Sequence, residues 1–195
     1  METIILINGK KRAGKDHSAS LLKDKLKDSE ILSFAGPMKR IISETFGITE
    51  DDLDTFKNDT EAYGIEIKVY PNNQVPGVIK YTNFREILQL FGTEAMKPQF
   101  GNSVWVDLLL NKIRESDNKI FIVPDFRFLI EESNIDRKEF NVITLKIESD
   151  NEVTGDGHSS ENELNGFNFD YIVDNTKHEK LESYLESFIE QHIKG

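Results

Sequence analysis

The chain has 195 residues, 37% of them hydrophobic and 30% charged, and a formal net charge of −11. A chain of this length buries about 70% of the surface its unfolded form exposes and is most simply one domain, here 1–195. The acidic balance argues against a general nucleic-acid or membrane-surface binder, both of which need basic patches. The absence of cysteine removes disulfides and thiolate metal sites and suits a reducing cytoplasm, and no leader or membrane span is expected at the N-terminus.

The apolar run Ile4-Ile5-Leu6-Ile7 predicts a buried strand. It leads into Gly9-Lys10-Lys11-Arg12-Ala13-Gly14-Lys15-Asp16. Two glycines with four residues between them, followed by lysine, allow successive backbone N–H groups to wrap a polyphosphate while Lys15 reaches its β- and γ-phosphates. A glycine-rich turn without a ligand would look similar, but strand, loop and helix come in the order the motif requires. Ala19, Leu22 and Leu26 recur at helical spacing after it, so a helix N-terminus would face the phosphates. Asp16 stands where a magnesium-binding hydroxyl is usual. A carboxylate there binds a hard cation and repels bare phosphate, which couples nucleotide binding to Mg²⁺.

Ile31–Phe34 is expected as a second strand, followed by a helix with Pro37 in its first turn, Met38, Ile41, Ile42 and Phe46 along it, and Gly47 at its end. Lys39 and Arg40 read as solvated charge. The acidic stretch 49–59 reads as a helix start capped by Thr49, because its spacing matches no calcium loop. Alternation over 65–81, interrupted by Pro71 and Pro76-Gly77, predicts an inserted β-hairpin. Asn83 and Glu86 form a capping signature for a helix with Phe84, Ile87, Leu88, Phe91 and Ala95 on its apolar face. Arg85, Gln89, Gly92 and Thr93 fall on one stripe, either an ordinary solvated face or a set of groups for a phosphorylated small molecule.

A further helix carries Trp105, Leu108, Leu109 and Ile113, with Trp105 either core or a platform for a base. Ile120–Val123 reads as a buried strand whose carboxyl end presents Asp125, with Arg127 two residues on. Such an acid either organises magnesium beside the loop or serves as a structural cap. Asn141–Ile147 and Tyr171–Val173 complete the strands, and Leu181, Tyr184, Leu185 and Phe188 mark a closing helix. The span 148–166 reads as a lid, and it contains neither lysine nor arginine. Strands alternating with helices imply an α/β fold, a parallel sheet with helices on both faces.

Together, the Gly-Lys-Asp loop ending, Arg85–Glu94 with Trp105-Val106, Pro124-Asp125-Phe126-Arg127 and His158-Ser159-Ser160-Glu161 resemble the deoxynucleoside monophosphate kinases of tailed bacteriophages. The resemblance implies a P-loop kinase fold and transfer of the ATP γ-phosphoryl group to a deoxynucleoside monophosphate in the cytoplasm, that of the host if phage-encoded. It places Gly9, Lys11, Ala13, Gly14, Lys15, Asp16 and His17 at ATP, and Arg12 at the transferring group. Arg85, Gln89, Thr93, Trp105, Asp125, Arg127 and Glu161 fall at the acceptor, and Asp16 and Asp125 at Mg²⁺. It implies neither nucleic acid nor membrane as partner, and a monomer or homodimer. The rival readings are a phosphomevalonate kinase-like enzyme, which shares the Gly-Lys-Asp ending, and a nucleotide-switched binding protein, whose guanine-reading motif Thr176–Glu179 only approximates.

Overall fold

The computed structural model describes residues 1–59, 68–69, 80–81, 83–150, 163–176 and 178–193. The chain forms two compact units, one of residues 1–34 and 105–195, the other of residues 35–104.

The first unit is built on five parallel strands: β1 (Thr3–Asn8), β2 (Ser29–Ile31), β5 (Ile120–Val123), β6 (Asn141–Glu148) and β7 (Tyr171–Asp174). Their order is β2-β5-β1-β6-β7. All four pairings are parallel, so the connections must cross over the faces, and the faces they cover become core. On one face Ile4, Leu6, Phe121, Val123 and Val142 pack against Val106, Leu109, Leu110 and Ile113 of α6 (Val104–Arg114). On the other, Ile5, Ile7, Ile122, Ile143, Leu145 and Ile147 pack against α1 (Lys15–Lys25) and α8 (Leu181–His192). A residue shift along β1 therefore moves a side chain from one core to the other. Burial of each such Ile or Leu contributes about 1.5–3 kcal/mol, enough to hold the register.

The chain leaves β1 for the edge strand β2, inserts β5 between them, and then builds outward through β6 and β7 on the far side. The crevice outside the carboxyl ends at such a reversal is where open α/β sheets bind ligands. Here that crevice lies at Asn8 and Gly9.

The second strand ends earlier than expected, at Ile31 instead of Phe34. Leu32 still donates to the Ile122 carbonyl (2.9 Å), after which Leu32 and Phe34 turn into the α6-side core. Burial, not the ladder, claims those residues.

In the second unit, α2 (Gly36–Phe46) starts with Pro37 in its first turn and ends at Gly47, and α3 (Glu50–Phe56) is capped by the Thr49 side chain accepting from the Asp52 amide. Lys39 pairs with Asp54 at 2.7 Å, in keeping with surface charge. Strands β3 (Lys68–Val69) and β4 (Lys80–Tyr81) pair antiparallel, as a hairpin requires, while the turn between them lies outside the described residues.

The helix expected over Phe84–Ala95 breaks from its pattern. α4 (Phe84–Gln89), capped by Asn83, passes into a π-helix (Leu90–Met96) and then α5 (Lys97–Phe100). Hydrogen bonds from i to i+5 widen the turn, so the 3.6-residue pattern fails from Leu90 onward. Ala95 is accordingly exposed and not part of the apolar face. Gly92 leaves the polar stripe and is buried, where a Cβ would come within 2.4 Å of the Met38 sulfur. Ile42, Leu53, Phe84 and Ile87 form this unit's core.

Candidate active site

Gly9 follows β1 so closely packed that an added Cβ would stand 2.7 Å from the Ile147 carbonyl oxygen, which only glycine avoids. The loop then folds on itself, with the Ala13 amide donating to the Lys10 carbonyl at 3.1 Å and Arg12 at a φ of 69°. Gly14, with φ 99°, starts α1, and the helix N-terminus has no side-chain cap. Its first-turn N–H groups, together with the helix dipole, suit an anion. Lys15 bends back over the loop, its ammonium donating to the carbonyls of Gly9 (2.6 Å) and Lys10 (2.9 Å). Ser18, Ala19 and Leu22 bury against the sheet and fix the helix that carries this geometry.

The loop is also held from beneath. Asn175, 1% exposed, donates its side-chain amide to the Ala13 carbonyl at 2.9 Å, while its backbone N–H bonds the Glu148 carbonyl at 2.7 Å. A Cβ on Gly14 would lie 2.8 Å from that same amide nitrogen. The sequence pattern offers little to single out Asn175 beyond its place directly after a strand, at the start of Asn-Thr-Lys.

On the β5 side, Asp125 accepts from the Phe34 amide at 3.0 Å, and Asn8 donates to the Phe126 carbonyl at 2.9 Å. The second bond ties the end of β1 to the segment bearing Asp125 and Arg127. Arg127 is exposed, and its guanidinium makes no ion pair among the described residues. Its backbone is held by Glu131, whose Oε2 accepts from the amides of Arg127 (2.7 Å) and Phe128 (3.0 Å). Burial pushes the Glu131 carboxyl up to about 7, against the opposing pull of those two amides, and the negative charge of Asp125 adds to the rise. Sequence reasoning missed Glu131 because an acid in the first turn of a short helix, α7 (Leu129–Ser133), looks like ordinary capping.

On the β6 side a cavity of about 430 Å³ opens above the carboxyl ends of β1, β6 and β7, lined by residues that include Asn8, Lys10, Lys146 and Thr176. Lys146 was also missed. In the strand pattern it reads as one more outward polar residue, yet the register sets it directly beside Asn8.

The expected nucleotide residues Gly9, Lys11, Arg12, Ala13, Gly14, Lys15, Asp16 and His17 thus form one continuous loop and helix start, with Asp125 and Arg127 at the end of the neighbouring strand. Trp105 is half-buried near the start of α6. Arg85, Gln89 and Thr93 are exposed residues of the second unit, and Arg85 donates to Asn58 Oδ1 at 2.5 Å. Glu161 and His158 lie outside the described residues. Among the described residues no three His, Cys, Asp or Glu side chains converge on a metal centre. Mg²⁺ needs no such cage, since it takes one or two carboxylates together with phosphate oxygens and water, and carboxylates such as those of Asp16 and Asp125 are of the chemical kind that would suit it.

A strand feeding a glycine-bounded loop, an uncapped helix start and a lysine folded over both define an α/β protein of the P-loop kinase fold. The chain belongs to the deoxynucleotide monophosphate kinase family, which it matches over residues 69–186, more than half its length. Membership makes it a nucleotide kinase. The matched span starts after the P-loop and includes Arg85–Glu94, Asp125 and Arg127. Among solved structures the chain is similar to the tunicamycin resistance protein of Deinococcus radiodurans, with 14% identity and a TM-score of 0.51 over 98% of this chain and 95% of that one. That likeness shows a shared fold. No curated protein matches significantly. No helix among the described residues is long and apolar enough to cross a membrane.

Proposed function

We propose that the protein transfers the γ-phosphoryl group of ATP to a deoxynucleoside monophosphate, releasing ADP and the deoxynucleoside diphosphate. The observation that carries this reading is the P-loop at the carboxyl end of β1, in a chain whose family is the deoxynucleotide monophosphate kinases. The loop N–H groups and Lys15 hold the donor's β- and γ-phosphates. An oxygen of the acceptor phosphate attacks the γ-phosphorus, a new P–O bond forms, and the bond to the β,γ-bridging oxygen breaks with its electrons leaving on ADP. That oxygen is already anionic, so no strong general base is required, and catalysis is positioning and charge stabilisation. Asp16 and Asp125 would hold Mg²⁺, whose chemistry when bound is to neutralise charge on the β- and γ-phosphates. Arg12 faces the transferring group and Arg127 grips the acceptor phosphate with two N–H donors. Arg85, Gln89, Thr93, Trp105 and Glu161 keep the acceptor roles that the resemblance implies. The reading sets the enzyme in the cytoplasm, as a monomer or homodimer.

The test is Mg²⁺-dependent ADP formation from ATP against a panel of deoxynucleoside monophosphates, with phosphomevalonate in parallel. Turnover with at least one deoxynucleotide supports the proposal. Turnover with phosphomevalonate alone transfers the assignment to that class of small-molecule kinase.

A further inference from the structure

The span 148–166 contains no lysine or arginine, and Lys146 is the last cation before it, on β6. β6 lies on the side of β1 opposite β5, and Lys146 on β6 is paired in register with Asn8, the last residue of β1 before the P-loop. Lys146 and Lys10 line the same cavity of about 430 Å³, together with the carboxylates of Glu148, Asp150 and Asp174. The Lys146 ammonium stands 5.9 Å from the centre of the Phe169 ring, in an aromatic cluster with Phe126 and Phe167, so the sheet and the rings fix where its stem emerges. The ammonium donates to Glu148 Oε1 at 2.5 Å, two residues along the same face of the strand.

We propose that Lys146 is a catalytic residue that contacts the γ-phosphate of the donor nucleotide, and that Glu148 holds its ammonium in the cavity until nucleotide replaces it. The proposal rests on the reading of the loop as an ATP site. Both partners of the pair are partly solvated, with side chains 34% and 46% exposed, so the pair itself is weak. A γ-phosphate dianion carries more charge than a carboxylate and offers three acceptor oxygens, so exchanging Glu148 for phosphate is favourable. With Arg127 at the end of β5 and Lys146 on β6, cations then flank the loop from both neighbouring strands, as the spread of charge over the transferring group requires.

Calorimetric titration with Mg²⁺ and either a non-hydrolysable ATP analogue or ADP separates the γ-contact from the rest of the site and needs no acceptor. Lys146→Met should weaken the triphosphate about 10-fold and ADP less than about 2-fold, with Lys146→Arg restoring most of the difference. Glu148→Gln should tighten the triphosphate about 2- to 5-fold, and should have no effect when Lys146 is already methionine. Equal loss for both nucleotides, or no loss for either, overturns the assignment. So does an unchanged effect of Glu148→Gln in the methionine background, and so does the absence of any tightening by Glu148→Gln in the otherwise wild-type protein, a readout that survives even if Lys146→Met folds poorly. If the wild-type protein binds the triphosphate and Lys146 discriminates as described, yet no deoxynucleotide is phosphorylated, the contact stands and the proposed acceptor falls. No triphosphate binding by the wild-type protein overturns both.

Discussion

Replacing Glu131 by glutamine should make the protein more stable at pH 8 and leave it nearly unchanged at pH 4.5. Glu131 is 9% exposed and its carboxyl is pushed up to about 7 from an ordinary 4.5. Below pH 4.5 the group is neutral in both folded and unfolded chains and costs nothing. Between 4.5 and 7 the unfolded chain releases the proton and the folded one keeps it, so folding stability falls through that window and levels off above it. A displacement of that size corresponds to roughly 3 kcal/mol at about 1.4 kcal/mol per unit. Glutamine carries no titrating proton, and its carbonyl can still accept from the Arg127 and Phe128 amides that Oε2 now serves. The pull of those two amides on the charged form is already contained in the value of about 7, so the net gain at pH 8 should be about 3 kcal/mol. Urea unfolding of both proteins at the two pH values gives the difference directly, with every other carboxylate cancelling. Equal destabilisation by Glu131→Gln at both values would refute the reasoning, because the carboxyl would then be acting only as a better hydrogen-bond acceptor.

Arg127→Lys should keep the fold and ATP affinity while lowering kcat/KM for the monophosphate about 30- to 1000-fold, roughly 2–4 kcal/mol of transition-state stabilisation, since an ammonium lacks the paired donors of a guanidinium. Steady-state kinetics with acceptor varied checks it, and loss of ATP affinity with acceptor kinetics intact would move Arg127 to the donor. Gly14→Ala forces a side chain onto a φ of 99° and against the Asn175 amide. It should cost about 1–3 kcal/mol in urea unfolding and more than that in nucleotide affinity, because the residue that follows is Lys15; wild-type behaviour in both measurements would contradict the tight loop.

The P-loop, the caps and the alternation of strands with helices were legible in the sequence because their causes are local. Gly14 takes a φ of 99° where the loop turns into a helix, Thr49 and Asn83 each accept from an amide three residues on, and apolar runs of strand length sit between helical patterns. What stayed hidden depends on partners far along the chain. Nothing in residues 90–96 announces i to i+5 bonding, and the burial of Gly92 is decided by Met38 on another helix. Leu32 and Phe34 look like strand residues in any window, and only the α6-side core reveals why the strand stops short of Phe34. Lys146 and Asn175 are polar residues near strand ends, where polar residues are commonplace, and only the register with Asn8 and the bond to Ala13 distinguish them.

The bond from Asn175 to the Ala13 carbonyl joins positions 162 residues apart. During synthesis the P-loop emerges well before the residue that steadies it. The loop must therefore wait without its support while the intervening residues are made, and nucleotide capture is expected to switch on only when β7 adds to the edge of the sheet. ATP affinity in a series of stalled nascent chains would then rise in one step once residue 175 has emerged, making the nucleotide site a reporter of β7 joining the sheet.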